Sequence, residues 1–120
     1  MGNRVKPTGE AVVAGRELAC TEQLVRFFPQ AVALRVEVQV TALRPGKTRL
    51  SERTIVEYGS TDNAIFISNL PLEFDDRVLI ERNPGPGRNK AAVIAVQYHE
   101  GKKAVAVRFL DGSREWIMQP

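Results

Sequence analysis

Few side chains in this sequence are equipped for acid–base, nucleophilic or metal chemistry, and each stands where that chemistry is hard to run. The single histidine, His99, is followed by Glu100 and Gly101. A general base has to be held in a cleft beside its substrate, whereas a pair at a hairpin tip faces solvent, so both are read as surface residues. Asp75 and Asp76 are adjacent in a turn and would not present both carboxylates to one bond. Cys20 is the only cysteine, which excludes an intrachain disulfide and a thiolate metal cluster. It has no histidine nearby and reads as a small buried hydrophobe. Metal binding wants several converging His, Cys or carboxylate ligands, and none are spelled out. The expectation is therefore a chain with no catalytic residue, no metal and no cofactor.

Two further stretches could hold a ligand through hydrogen bonds. Asn83-Pro84-Gly85-Pro86-Gly87-Arg88-Asn89 has glycines at phosphate-cradle spacing. It lacks a following helix and a Gly-Lys-Ser/Thr ending, and its prolines remove amide donors, so it reads as a plain loop. Tyr58-Gly59-Ser60-Thr61-Asp62-Asn63 is more informative. Gly, Ser, Asp and Asn gather where a chain turns tightly and bonds its own backbone, so this is a polar elbow between two extended segments.

Those segments belong to a run of strands. From Ala31 to Leu43, Val32, Leu34, Val36, Val38, Val40 and Ala42 alternate with Arg35, Glu37, Gln39 and Thr41, which predicts a strand with one buried face. Arg44-Pro45-Gly46-Lys47 is a turn with proline in its favoured early place. Leu50–Glu57 leads into the elbow and Ala64–Ser68 leads out of it. Leu70-Pro71-Leu72 interrupts the ladder, because proline has no amide to donate. Arg77–Arg82 follows the Asp75-Asp76 turn. Lys90–His99 and Lys103–Asp111 form a hairpin through Glu100-Gly101-Lys102. In the first of these, Ala92, Ile94, Val96 and Tyr98 are expected opposite Ala91, Val93 and Ala95. In the second, Val105, Val107 and Phe109 alternate with Ala104 and Ala106, and the small alanines imply close approach of another layer, as inside a tight barrel.

Helix is scarce. Thr21 is the expected N-cap of a turn or two before Pro29, with Leu24, Phe27 and Phe28 facing the sheet. Residues 11–18 fit a short strand or a helical turn equally well. Trp116, Ile117 and Met118 are expected to fold back over a barrel end. The fold class is all-β: a small six-stranded antiparallel β-barrel with a short helical turn near the N-terminus. Closure lets so much strand avoid an exposed edge. Residues 1–20 are read as a tail with a possible short strand, and 21–120 as the barrel domain.

At 120 residues one core is the natural capacity. The net charge of +3 is mild, and no block of like charge exceeds a pair; a nucleic-acid binder concentrates its basic residues on one face, so a solvated surface is the stronger reading. No apolar run reaches the roughly 20 residues that span a bilayer, and residues 1–10 lack the apolar core of a secretory signal. A cytoplasmic protein without membrane insertion is expected.

From about Arg26 to Trp116 the layout resembles the PilZ domain, a bacterial six-stranded barrel that senses cyclic di-GMP. The resemblance is carried by the long first strand, the strand into the elbow, Ala64-Ile65-Phe66-Ile67-Ser68 before Pro71-Leu72, then Val78-Leu79-Ile80 and the closing Val105–Asp111. It implies a ligand grip made of Arg-x-x-x-Arg ahead of the first strand and Asp/Asn-x-Ser-x-x-Gly at the elbow. Here Arg26 is kept and Gln30 stands at the second arginine; Ser60 is kept, Tyr58 stands at the acid and Asn63 at the glycine. Asparagine tolerates positive φ better than most residues. Arg49 and Arg53 make an intact Arg-x-x-x-Arg, but behind the first strand, and that match is treated as chance. Losing one charge-assisted contact to a dianion costs about 1.5–3 kcal/mol, so weakened or lost cyclic di-GMP binding is expected, with Arg26, Gln30, Ser60 and Asn63 as the site residues.

Three functions compete. The favoured one is a non-enzymatic PilZ-like signalling module acting through a protein partner. A second is a working cyclic di-GMP receptor using Arg26 and Ser60, helped by Arg49 or Arg53. A third is an SH3-, Tudor- or OB-like barrel that binds nucleic acid through Tyr98 and Phe109 with Lys102, Lys103 and Arg108 nearby.

Overall fold

The structure is a computed structural model that describes residues 19–82 and 87–110. One helix, α1 (Cys20–Val25), precedes six strands: β1 (Val32–Leu43), β2 (Leu50–Gly59), β3 (Asn63–Ile67), β4 (Arg77–Arg82), β5 (Arg88–His99) and β6 (Lys102–Phe109). All neighbours pair antiparallel, and the sheet closes in the order β1-β2-β3-β6-β5-β4. This is the six-stranded barrel that the alternation predicts. The expected behaviour of residues 1–18 and of Trp116, Ile117 and Met118 lies outside the described residues.

Period-two alternation fills the interior. Val38, Val40, Val56, Phe66, Val105 and Val107 are fully buried in one apolar cluster, with Leu34 and Val36 against it. Leu70 and Leu72, freed from the ladder by the proline between them, join the same cluster. Their loop is pinned by Glu52, whose carboxylate accepts from the Ser68 hydroxyl and from the Asn69 N–H at 3.0 Å. Lys103 Nζ donates to the Leu70 carbonyl.

The turns follow their residue chemistry. Lys47 N–H donates to Arg44 O at 3.0 Å with φ +72° at Gly46, the type II turn that Pro-Gly specifies. Glu100 and Gly101 both have positive φ, +53° and +79°, which makes the β5–β6 link a type I′ hairpin.

Strict alternation fails where strands bulge, because an inserted residue reverses the facing of those beyond it. One bulge shifts the β1–β2 register between Ala33 and Val36, and Val32, expected inside, is 58% exposed. A second shifts β5 against β6 between Val93 and Ala95. Ile94 and Ala95 therefore both lie on the outer face while Val96 turns inward, so Ala92, Ile94, Val96 and Tyr98 do not share a face. A third falls at Glu57, between the Val56↔Phe66 and Tyr58↔Ile65 pairs.

Alpha1 covers the outer face. Six residues are too few to hold a helix alone; burial of Cys20 and Leu24 against Ile65, Ala104 and Ala106 holds it. The alanines of β6 thus make room for a helix outside the barrel, while Ala91 of β5 lies inside. The N-cap is Ala19, not Thr21, and Glu22 reaches back to the Ala19 N–H at 2.8 Å. Thr21 lies inside the first helical turn, past the cap position, and its hydroxyl donates to Glu57 Oε1 at 2.6 Å. Phe28 packs under the helix, but Phe27, expected to face the sheet, is 74% exposed.

Candidate functional site

Ser60 and its neighbours form the turn between β2 and β3. Tyr58 and Gly59, assigned to the elbow by composition, are strand residues paired with Ala33 and Val32 on one side and with Ile65 and Ala64 on the other. The elbow shortens to Ser60-Thr61-Asp62. Within it the Ser60 hydroxyl accepts the N–H groups of Asp62 at 3.2 Å and Asn63 at 3.1 Å, and Ser60 N–H donates to the Asn63 carbonyl at 2.9 Å. The Asn63 side-chain amide donates to Val107 O at 3.2 Å, and Phe109 N–H donates to Asp62 O at 2.9 Å. The elbow is therefore closed onto itself and stitched to β6.

Asn63 does not stand in for a glycine through positive φ. It is the first residue of β3, and positive φ among described non-glycine residues is confined to Asp75 and Glu100. Its fitness for the position lies in the amide that reaches Val107. Arg26 ends α1 and Gln30 precedes β1; both are exposed. The Val32↔Gly59 pair brings the start of β1 to the elbow, yet neither Arg26 nor Gln30 bonds to Ser60 or Asn63. The four expected site residues share a neighbourhood and do not form a joined constellation.

Beside the elbow, Tyr58 meets two carboxylates. Burial raises its phenol above the ordinary 10.0; the charges of Glu22 and Glu57 and a hydrogen bond to Glu22 raise it further. This group ties α1 to β2. Cys20 belongs to the same interface, where its thiol donates to Gln97 O at 3.2 Å.

The other sequence candidates separate. His99 Nε2 lies 3.8 Å from Glu100 Oε2 at the hairpin tip. Asp75 pairs with Arg77 at 2.8 Å, while Asp76 accepts from the Glu73 N–H, so the two carboxylates serve different bonds. Among the described residues no three His, Cys, Asp or Glu side chains gather as a metal site would require. Arg49 and Arg53 lie apart, Arg49 before β2 and Arg53 in a depression with Glu37 and Glu57. Arg49 and Ser60 flank opposite ends of β2, roughly 30 Å of strand apart, so Arg49 does not rebuild the elbow site. Phe109 is only 7% exposed, inside the barrel, whereas Tyr98 is 69% exposed; the aromatic pair expected to stack nucleotides is divided. Arg88 and Asn89, assigned to the loop, are already in β5.

A cluster that linear reading missed is basic. Arg44, Lys47, Arg49, Arg77, Arg88 and Lys90 line one open hollow. The closely spaced Arg44, Lys47 and Arg49 were a visible signal; the other three arrive only through strand register, with Leu43 opposite Arg77, Leu79 opposite Lys90 and Glu81 opposite Arg88. Charge scattered along the chain is gathered by the barrel.

The fold defines a small closed antiparallel barrel with one helix laid on its outer wall. No family model matches the sequence, and no curated protein matches it. Among the described residues no helix is long and apolar enough to cross a membrane.

Proposed function

We propose that the chain is a non-enzymatic, PilZ-like interaction module of a bacterial signalling assembly, working through a protein partner and binding cyclic di-GMP weakly or not at all. The observation that carries this reading is the commitment of the Ser60 hydroxyl to the elbow's own backbone and of the Asn63 side chain to the β6 backbone. A ligand phosphate would have to displace those bonds, and the position of the second arginine offers the uncharged Gln30. The elbow residues Ser60, Thr61 and Asp62 themselves carry no cation. Calorimetry of cyclic di-GMP against the protein at about 100 µM, near the dissociation constant of a weak ligand, tests the reading. The expected trace is flat or barely curved. A saturable heat at low micromolar ligand that disappears in Arg26→Ala would restore the receptor.

A further inference from the structure

The basic hollow has a volume of about 1030 Å³ and lies on the outer face where the end of β1, β4 and the start of β5 meet, walled by the β1–β2 turn. Two of its cations are already matched, Arg77 to Asp75 at 2.8 Å and Arg88 to Glu81 at 3.1 Å. Arg44, Lys47, Arg49 and Lys90 form no ion pair with an acid among the described residues, and none of the described acids lines the hollow, the nearest being Glu73 and Asp76 in the adjoining depression that Arg44 and Lys47 also border. Between the cations lie Leu43, Leu79 and Leu110, with Leu110 held at the edge by its N–H on the Lys90 carbonyl at 3.0 Å.

This lining discriminates among anions. Among the described residues no aromatic side chain lines it, so these residues offer nucleotide bases nothing to stack on. A bare phosphate chain would satisfy the cations and leave the leucines uncovered. A peptide bearing both carboxylates and aliphatic side chains satisfies both kinds of group, and extended backbone delivers them to opposite sides with a period of two.

We infer that the hollow docks an acidic segment of a partner protein in which Glu or Asp alternates with aliphatic residues. The inference rests on the reading of the chain as a protein-contact module and adds to it the place of contact and the partner's chemistry.

The test is fluorescence anisotropy of the full chain with a labelled peptide of alternating Glu and Leu, beside an alternating Glu-Ser peptide and a thymidine oligonucleotide. The Glu-Leu peptide is expected to bind saturably and to weaken as salt rises. Arg49→Glu combined with Lys90→Glu should weaken it about tenfold or more, because two exposed attractions become repulsions. Arg35→Glu, an exposed β1 residue outside the hollow, should change it less than about twofold. Leu110→Ser should cost the Glu-Leu peptide about threefold and the Glu-Ser peptide nothing. Circular dichroism melts establish that each variant is folded. No saturable binding, equal losses from Arg35→Glu, or tighter capture of the oligonucleotide overturns the proposal. Cyclic di-GMP titrated into the same samples separates the two failures: its saturable binding counts against the module reading, whereas an inert peptide with an equally inert cyclic di-GMP removes the hollow alone.

Discussion

The elbow and the basic hollow are both polar surfaces at the margins of strands, and they differ in what their side chains are already doing. At the elbow, the Ser60 hydroxyl and the Asn63 amide are bonded to backbone at 3.1–3.2 Å. In the hollow, Arg44, Lys47, Arg49 and Lys90 form no ion pair with a described acid. A group that the fold needs is costly to lend to a ligand, since a displaced backbone donor must find another partner. A group that the fold leaves idle can bind at no cost to the scaffold. Sequence resemblance pointed to the first region, and the arrangement of charge points to the second.

The contrast can be broken or sharpened by substitution. The largest effect should come from the barrel interior on which both regions stand. Phe66 is fully buried, and Phe66→Ala is expected to cost about 3–5 kcal/mol, read as a lower denaturant midpoint, with both surfaces degraded together. Ser60→Ala removes the acceptor for two N–H groups and should cost about 1–2 kcal/mol in the same assay; a neutral result would mean that the elbow hydroxyl is free for a ligand after all. Gly46→Ala, in the wall of the hollow, should cost about 1 kcal/mol through backbone strain alone, because φ is +72° and an added Cβ would touch nothing within 4 Å. Lys47→Ser beside it is expected to stay within about 0.5 kcal/mol, as befits an exposed cation that the fold does not use.

The smallest effect is confined to alkaline pH. The Tyr58 phenol titrates above 10.0 in the folded chain, first because of burial and then because of Glu22 and Glu57. The folded state thus holds this proton more tightly than the unfolded state does. That contribution is fully present below pH 10 and is lost as pH rises through the folded-state value. Thermal melts at increasing alkaline pH should show the decline, and Tyr58→Phe should lessen it.

Strand order along the chain was legible because one-sided burial writes a period of two into residues 34–42, whereas 64–67 and 104–107 are short apolar runs bounded by turns, buried on both faces because α1 covers the outer one. The turns were legible because Pro45-Gly46 and Glu100-Gly101 leave little choice of dihedral angle. The bulges were not, since an inserted residue such as Ile94 is as apolar as its neighbours and only the partner strand reveals the shift. Val32 and Phe27 show the same limit: apolar identity states what a residue tolerates, not which way the local backbone turns it. At the candidate site the residue types of Ser60 and Asn63 were readable, but their bonds were not, because Val107 is far away in sequence. The hollow was hidden for the matching reason: Arg49, Arg77 and Lys90 become neighbours only when β1, β4 and β5 are in register.

The measurement that bears most directly on the contrast is a backbone amide chemical-shift map of the full chain titrated with cyclic di-GMP. If the elbow's polar groups belong to the fold, the resonances of Arg26, Ser60, Asp62 and Asn63 stay in place up to ligand concentrations of about 100 µM. Saturable movement of those four, with the Asp62 and Asn63 amides losing their protection as the ligand replaces their bonds to the Ser60 hydroxyl, would contradict the account.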